Sequence, residues 1–106
     1  IIHCDEFQTE GIDKIVERIK NRVGDNALYL SIDIDVLDPA FAPGTGTPEI
    51  AGMTTREMVN VLRGLSGLNL ISADVVEVAP AYDHAEVTSL AAATIVYELT
   101  NLFAKS

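Results

Sequence analysis

The stretch Ala27-Leu28-Tyr29-Leu30-Ser31-Ile32-Asp33-Ile34-Asp35-Val36 limits what this chain can become more than any other. Its aliphatic residues Leu28, Leu30, Ile32, Ile34 and Val36 alternate with Tyr29, Ser31, Asp33 and Asp35, which is the period of a strand with one apolar face. The other face turns acidic toward its end. Residues i and i+2 on a strand stand roughly 6.5 to 7 Å apart, so Asp33 and Asp35 could reach a pair of metal ions about 3.5 to 4 Å apart. Two neighbouring carboxylates leaving water without a cation would each lose several kcal/mol, about the cost of an uncompensated buried ion, and would repel one another. Hard oxygen ligands favour Mg²⁺, Mn²⁺ or Ca²⁺. The competing reading makes them caps of the turn that follows, the role expected of Asp38 in Asp38-Pro39.

The strand runs into Pro43-Gly44-Thr45-Gly46-Thr47-Pro48-Glu49. Without a Lys and without G-x-G-x-x-G spacing, this loop is not a nucleotide cradle. Its glycines permit a tight course, for structural or functional reasons alike.

Helices and strands alternate along the chain. Ile12, Ile15, Val16, Ile19 and Val23 recur at helical spacing, predicting an amphipathic helix over 9–23 that Gly24-Asp25-Asn26 stops. Thr54-Thr55-Arg56-Glu57 is a capping box before a second helix with a Met58, Val61, Leu62 and Leu65 stripe. Leu70 to Val78 reads as a second, parallel strand, and an alanine-rich helix is expected from about Glu86 to Phe103. The order implies βαβ units and an α/β fold, with ligands at the carboxyl ends of the strands.

Glu77 stands at such an end among valines, where an acid either meets a cationic ligand or pairs with Arg56 or Arg63. His84 is the other candidate for proton transfer or metal binding, with a capping role favoured. Asp74 and Asp83 are expected in turns or behind the ligands.

With 106 residues, 48% of them hydrophobic, the chain can build one core. A net charge of −9 argues against nucleic acid and anionic membrane surfaces and suits a cationic partner. The single cysteine, Cys4, cannot pair internally. It is expected as a buried residue of a strand opening at Ile1-Ile2-His3, and it favours an intracellular setting, the cytoplasm ahead of the mitochondrion. No apolar run or basic leader predicts a membrane span or signal peptide.

Residues 31–49, with Thr54-Thr55-Arg56-Glu57 and Asp74-Val75-Val76-Glu77-Val78-Ala79-Pro80-Ala81-Tyr82-Asp83, resemble the ureohydrolase (arginase/agmatinase) family, and agmatinases more than arginases. The resemblance implies a three-layer αβα fold with a parallel sheet, of which residues 1–106 would be the C-terminal portion, the N-terminal part of the domain being absent. It implies two Mn²⁺ ions, Asp33 bridging both and Asp35 binding one. Glu77 would grip a guanidinium and Thr47 would stand near the substrate. The implied reaction is hydrolysis of a small cationic guanidino compound, with agmatine giving urea and putrescine, in a homo-oligomer. Guanidinobutyrase or another amidinohydrolase would share these residues. Two departures stand out: Ala51-Gly52 replaces the family's Gly-Gly, and its Gly-Gly-Asp-His and Asp-x-His-x-Asp-x-x-Asp ligand segments have no counterpart. The chain alone is therefore expected to be inactive, and the other alternative is a non-catalytic metal-binding or oligomerisation module.

Overall fold

The computed structural model describes residues 1–106. Two helices, α1 (Cys4–Glu10) and α2 (Ile12–Val23), precede strand β1 (Leu28–Asp33). Helix α3 (Thr55–Gly64) then leads to β2 (Leu70–Val76), and α4 (Val87–Lys105) closes the chain. The strands pair in parallel, with α3 in the crossover, as the alternation of elements predicts.

Leu28, Leu30 and Ile32 of β1 and Ala73 and Val75 of β2 face the helices and join one core. That core includes Ile15, Val16, Met58, Leu62, Ile95 and Leu99. Ile34 is 0% exposed and Leu37 1%, and side chains buried this fully each contribute about 1.5–3 kcal/mol. The ladder slips between Leu28 and Tyr29, whose partners are Leu70 and Ser72. The extra residue, Ile71, is 61% exposed. Tyr29, Ser31 and Ser72 on the opposite face are exposed. There Asp74 accepts hydrogen bonds from Ser31 Oγ at 2.6 Å and from the Tyr29 hydroxyl, which together hold its carboxyl below the usual aspartate range. β1 and β2 each have one edge with no partner strand, as a piece of a larger parallel sheet would.

The capping box is present: Glu57 N donates to Thr54 Oγ1 at 3.0 Å and Thr54 N to Glu57 Oε1 at 2.9 Å. The helix expected over 9–23 is two helices. Gly11, at φ 89, ends α1 and opens α2, a backbone turn that a Cβ would resist. No strand forms at residues 1–3. Cys4 lies exposed in the first turn of α1, correcting its expected burial, because that short helix turns only Phe7 into the core. Helix α4 is long and apolar enough, by length and composition, to cross a membrane. Its Ala91, Ile95, Leu99 and Leu102 stripe packs instead into the core. Its Glu98 is held ionised by Arg63, with Nη2 and Oε1 2.8 Å apart.

Candidate functional site

Parallel strands bring their carboxyl ends to one edge of the sheet. β1 ends at Asp33, and residues Ile34–Val36 turn through a short 3₁₀ helix, so Asp35 is not a strand residue as the alternation suggests. The Asp33 carboxylate causes the departure: its Oδ1 accepts the Asp35 N–H at 3.1 Å and caps the turn. Ile34 remains fully buried, so the apolar period continues past the strand's end. Thr47 Oγ1 donates to Asp35 Oδ2 at 2.7 Å. Asp33, Asp35 and Thr47 thus form one hydrogen-bonded chain. Each carboxylate keeps one oxygen outside it, a hard donor suited to a divalent cation. No three His, Cys, Asp or Glu side chains converge here to hold a metal.

Asp38 is structural, as read from sequence. It accepts the Ala40 N–H at 2.9 Å and the Ala51 N–H at 3.1 Å, folding the loop over 37–53 back on itself. Leu37 bridges Met53 there. Ala51 has φ 68, a left-handed conformation in which glycine is favoured. Gly52 admits no side chain, because a Cβ would lie 2.6 Å from Asp38 N and 2.8 Å from Val36 O.

At the other strand end, Glu77 lies one residue past Val76, the ladder partner of Asp33. It is exposed, at φ 69, and makes no ion pair. The alternative partner Arg63 is bound to Glu98, and Arg56 lines an apolar groove between α3 and α4. Two residues on, Ala79 N donates to Gly44 O at 2.7 Å, tying this loop to the one that carries Thr47.

Asp83 begins α4 from outside it. Its carboxylate accepts N–H bonds from His84 and Thr88 at 2.9 Å and from Ser89 at 3.0 Å, together with the Ser89 hydroxyl at 3.1 Å. Burial opposes its charge, but hydrogen bonds from Thr88, Ser89 and His84 outweigh that and hold the carboxyl far below the usual range. His84 is exposed and contributes its backbone, and His3 lines one cavity with Asp35 and Glu49 without forming a metal-binding cluster with them. The sequence marks Gly44 only as a glycine of a tight loop and does not single out Thr88. Thr88 is wholly buried, and its Oγ1 accepts the Gly44 N–H at 2.8 Å. The one available signal was the spacing of Asp83 ahead of Thr88-Ser89 at a helix start.

Residues 1–101 match the model of the Arginase family. A Schizosaccharomyces pombe relative is 62% identical over 106 residues, all of this chain and 27% of its own length. An agmatinase from Photorhabdus laumondii is 52% identical over 96% of this chain and 33% of its own length. Among solved structures, a hypothetical agmatinase from Burkholderia thailandensis superimposes with a TM-score of 0.94 at 48% identity. Proclavaminate amidino hydrolase from Streptomyces clavuligerus does so with a TM-score of 0.94 at 44% identity. Each match covers 96% of this chain, and 32% and 34% respectively of the other. The chain spans about a third or less of the length of these relatives.

Proposed function

Because this chain belongs to the arginase family, we propose that its residues serve a hydrolase of a guanidino substrate, agmatine above others, releasing urea and putrescine. Residues 1–106 are then the C-terminal portion of one ureohydrolase domain, in a cytoplasmic homo-oligomer. The observation that carries the reading is the Asp33, Asp35 and Thr47 chain at one strand end, with Glu77 at the next.

Asp33 and Asp35 would hold two Mn²⁺ ions together with ligands from elsewhere in the protein. Their carboxylate oxygens match the hard donors such ions take. When bound, a metal pair supplies hydroxide near neutral pH and polarises the group under attack. The chain's own part is placement. Thr47 fixes the Asp35 carboxylate by occupying Oδ2, leaving the remaining oxygen for a cation. Glu77, with no cation of its own, would pair through two oxygens with a planar guanidinium and hold its carbon beside Asp33.

The test is turnover of agmatine, arginine and guanidinobutyrate by the full-length Mn²⁺-loaded protein, with urea as readout. Preference for agmatine supports the proposal, and preference for arginine overturns the agmatinase assignment. A second reading, another amidinohydrolase, is favoured by the Streptomyces clavuligerus match and would appear as preference for guanidinobutyrate over agmatine. A coding sequence without Asp-x-His-x-Asp-x-x-Asp and Gly-Gly-Asp-His upstream of Ile1 would overturn catalysis altogether.

A further inference from the structure

The two loops of the candidate site meet through one buried contact. Gly44 accepts the Ala79 N–H on its carbonyl at 2.7 Å and donates its own N–H to Thr88 Oγ1 at 2.8 Å. Gly44 has no room for a side chain, since a Cβ there would stand 2.9 Å from both Asp83 Cβ and Thr88 Oγ1. Thr88 has 0% exposure, and its N–H is fixed on the Asp83 carboxylate at 2.9 Å.

We infer that Thr88 is a positioning residue: through Gly44 its hydroxyl sets where Glu77 stands relative to Asp35 and Thr47. This rests on the reading of Glu77 as the guanidinium-binding acid. The Glu77 side chain has no protein partner to aim it, and its φ of 69 is sparsely populated by non-glycine residues, so surrounding contacts must impose it. Val76, paired with Asp33, fixes the chain just before Glu77, and the Ala79 to Gly44 bond fixes it two residues after. On the other side, Thr47 follows Gly44 by three residues and is anchored on Asp35. The contact thus joins the acid to the metal-facing carboxylates across the gap between two strands. Capping of α4 does not rest on the hydroxyl alone: the Thr88 side chain also favours the charged Asp83 carboxylate, but the N–H groups of Thr88 and Ser89 bond it as well. Removing the hydroxyl while keeping the side-chain shape leaves the backbone cap bonds in place, and the split between KM and metal content separates positioning from any loss of helix stability.

The experiment compares Thr88→Val and Thr88→Ser in the full-length protein, measuring kcat and KM for agmatine, metal content, and hydrogen exchange at the Ala79 amide. Thr88→Val is expected to lower kcat/KM by about 10- to 100-fold, the cost of misplacing a group by an ångström or less. The loss should fall mainly in KM, as expected when substrate grip weakens in ground and transition states alike. Metal content should hold, Ala79 should exchange about 10-fold faster, and Thr88→Ser should restore all three. A merely structural role would lower the active fraction and the metal content with KM unchanged. KM within twofold of wild type in Thr88→Val, or equal impairment in Thr88→Ser, overturns the inference. Should Thr88→Val not fold, Thr88→Cys, with its weak acceptor, takes its place. A wild-type protein inert toward every guanidino compound overturns the functional reading instead, and exchange at Ala79 still decides whether Thr88 couples the loops.

Discussion

Asp33 closes β1 and Glu77 follows β2 one residue beyond Asp33's ladder partner, yet the two carboxylates are held in opposite ways. Asp33 is fixed within its own turn by the Asp35 N–H, and Asp35 by Thr47 twelve residues on. Past the paired Val76, Glu77 takes its place from a left-handed backbone and a bond two residues on, to a loop that is in turn pinned by Thr88. On the proposed reading, local bracing suits a group that would meet an ion at fixed distance, whereas remote bracing leaves a carboxylate open to a ligand that arrives and leaves. The difference teaches that sequence neighbours build one half of the site and the tertiary fold builds the other.

The sharpest way to break this comparison is to neutralise one carboxylate at a time. Asp33→Asn in the full-length protein should cut metal-dependent turnover by more than about 100-fold, the loss that an outer partner of a metal ligand alone can cause. Metal content measured on the same sample should fall with it, and unchanged activity rules out the ligand role. Glu77→Gln should raise KM for agmatine by roughly 10- to 100-fold, the range of a lost charge-assisted hydrogen bond, with metal content intact. Metal lost in this variant would erase the distinction between the two ends.

Acid titration sharpens the contrast at the start of α4. The folded Asp83 carboxyl titrates below its unfolded value, so its stabilisation is complete above about pH 4 and is lost as pH falls toward the folded value. Urea unfolding from pH 5 downward should show that slope in the wild type and a shallower one in Asp83→Asn. Parallel slopes would mean that the hydrogen bonds from Thr88 and Ser89 do not favour the charge. The smallest effect belongs to the β1 side. Ala51→Gly should stabilise by about 0.5–1 kcal/mol in thermal melting, relief of a left-handed alanine being partly offset by the freer unfolded glycine. A loss of stability there would show that the loop gains from the methyl group more than the backbone loses.

Much of the β1 side was legible beforehand. Alternation through Ile32 marks the strand, Asp38-Pro39 marks the turn, and Thr54 with Glu57 marks the start of α3, because each is encoded within a few residues. The 3₁₀ turn at Ile34 escaped for a physical reason: Ile34 is buried in the turn as it would be in a strand, so the pattern of apolar residues does not change. The break at Gly11 escaped because the seven residues of α1 bury only Phe7, too few contacts for a period. The Gly44 to Thr88 bond uses a backbone donor and a hydroxyl 44 positions apart, and neither atom leaves a mark in residue spacing.

The crossover between the strands also sets an order of events in time. α3, with its own capping box, contains every interaction needed to begin forming locally, on a scale of about 0.1–1 μs. Leu28 cannot find Leu70, nor Asp33 find Val76, until the whole connection over 34–69 has closed, and pairing of that kind is the slow step of a fold. In that interval β1 and β2 offer Tyr29 and Ile71 on unpaired strands to any neighbouring chain. Closure of the crossover therefore governs how long those strands stay open to association, and the segment that must close carries Asp35 and Thr47 of the candidate site itself.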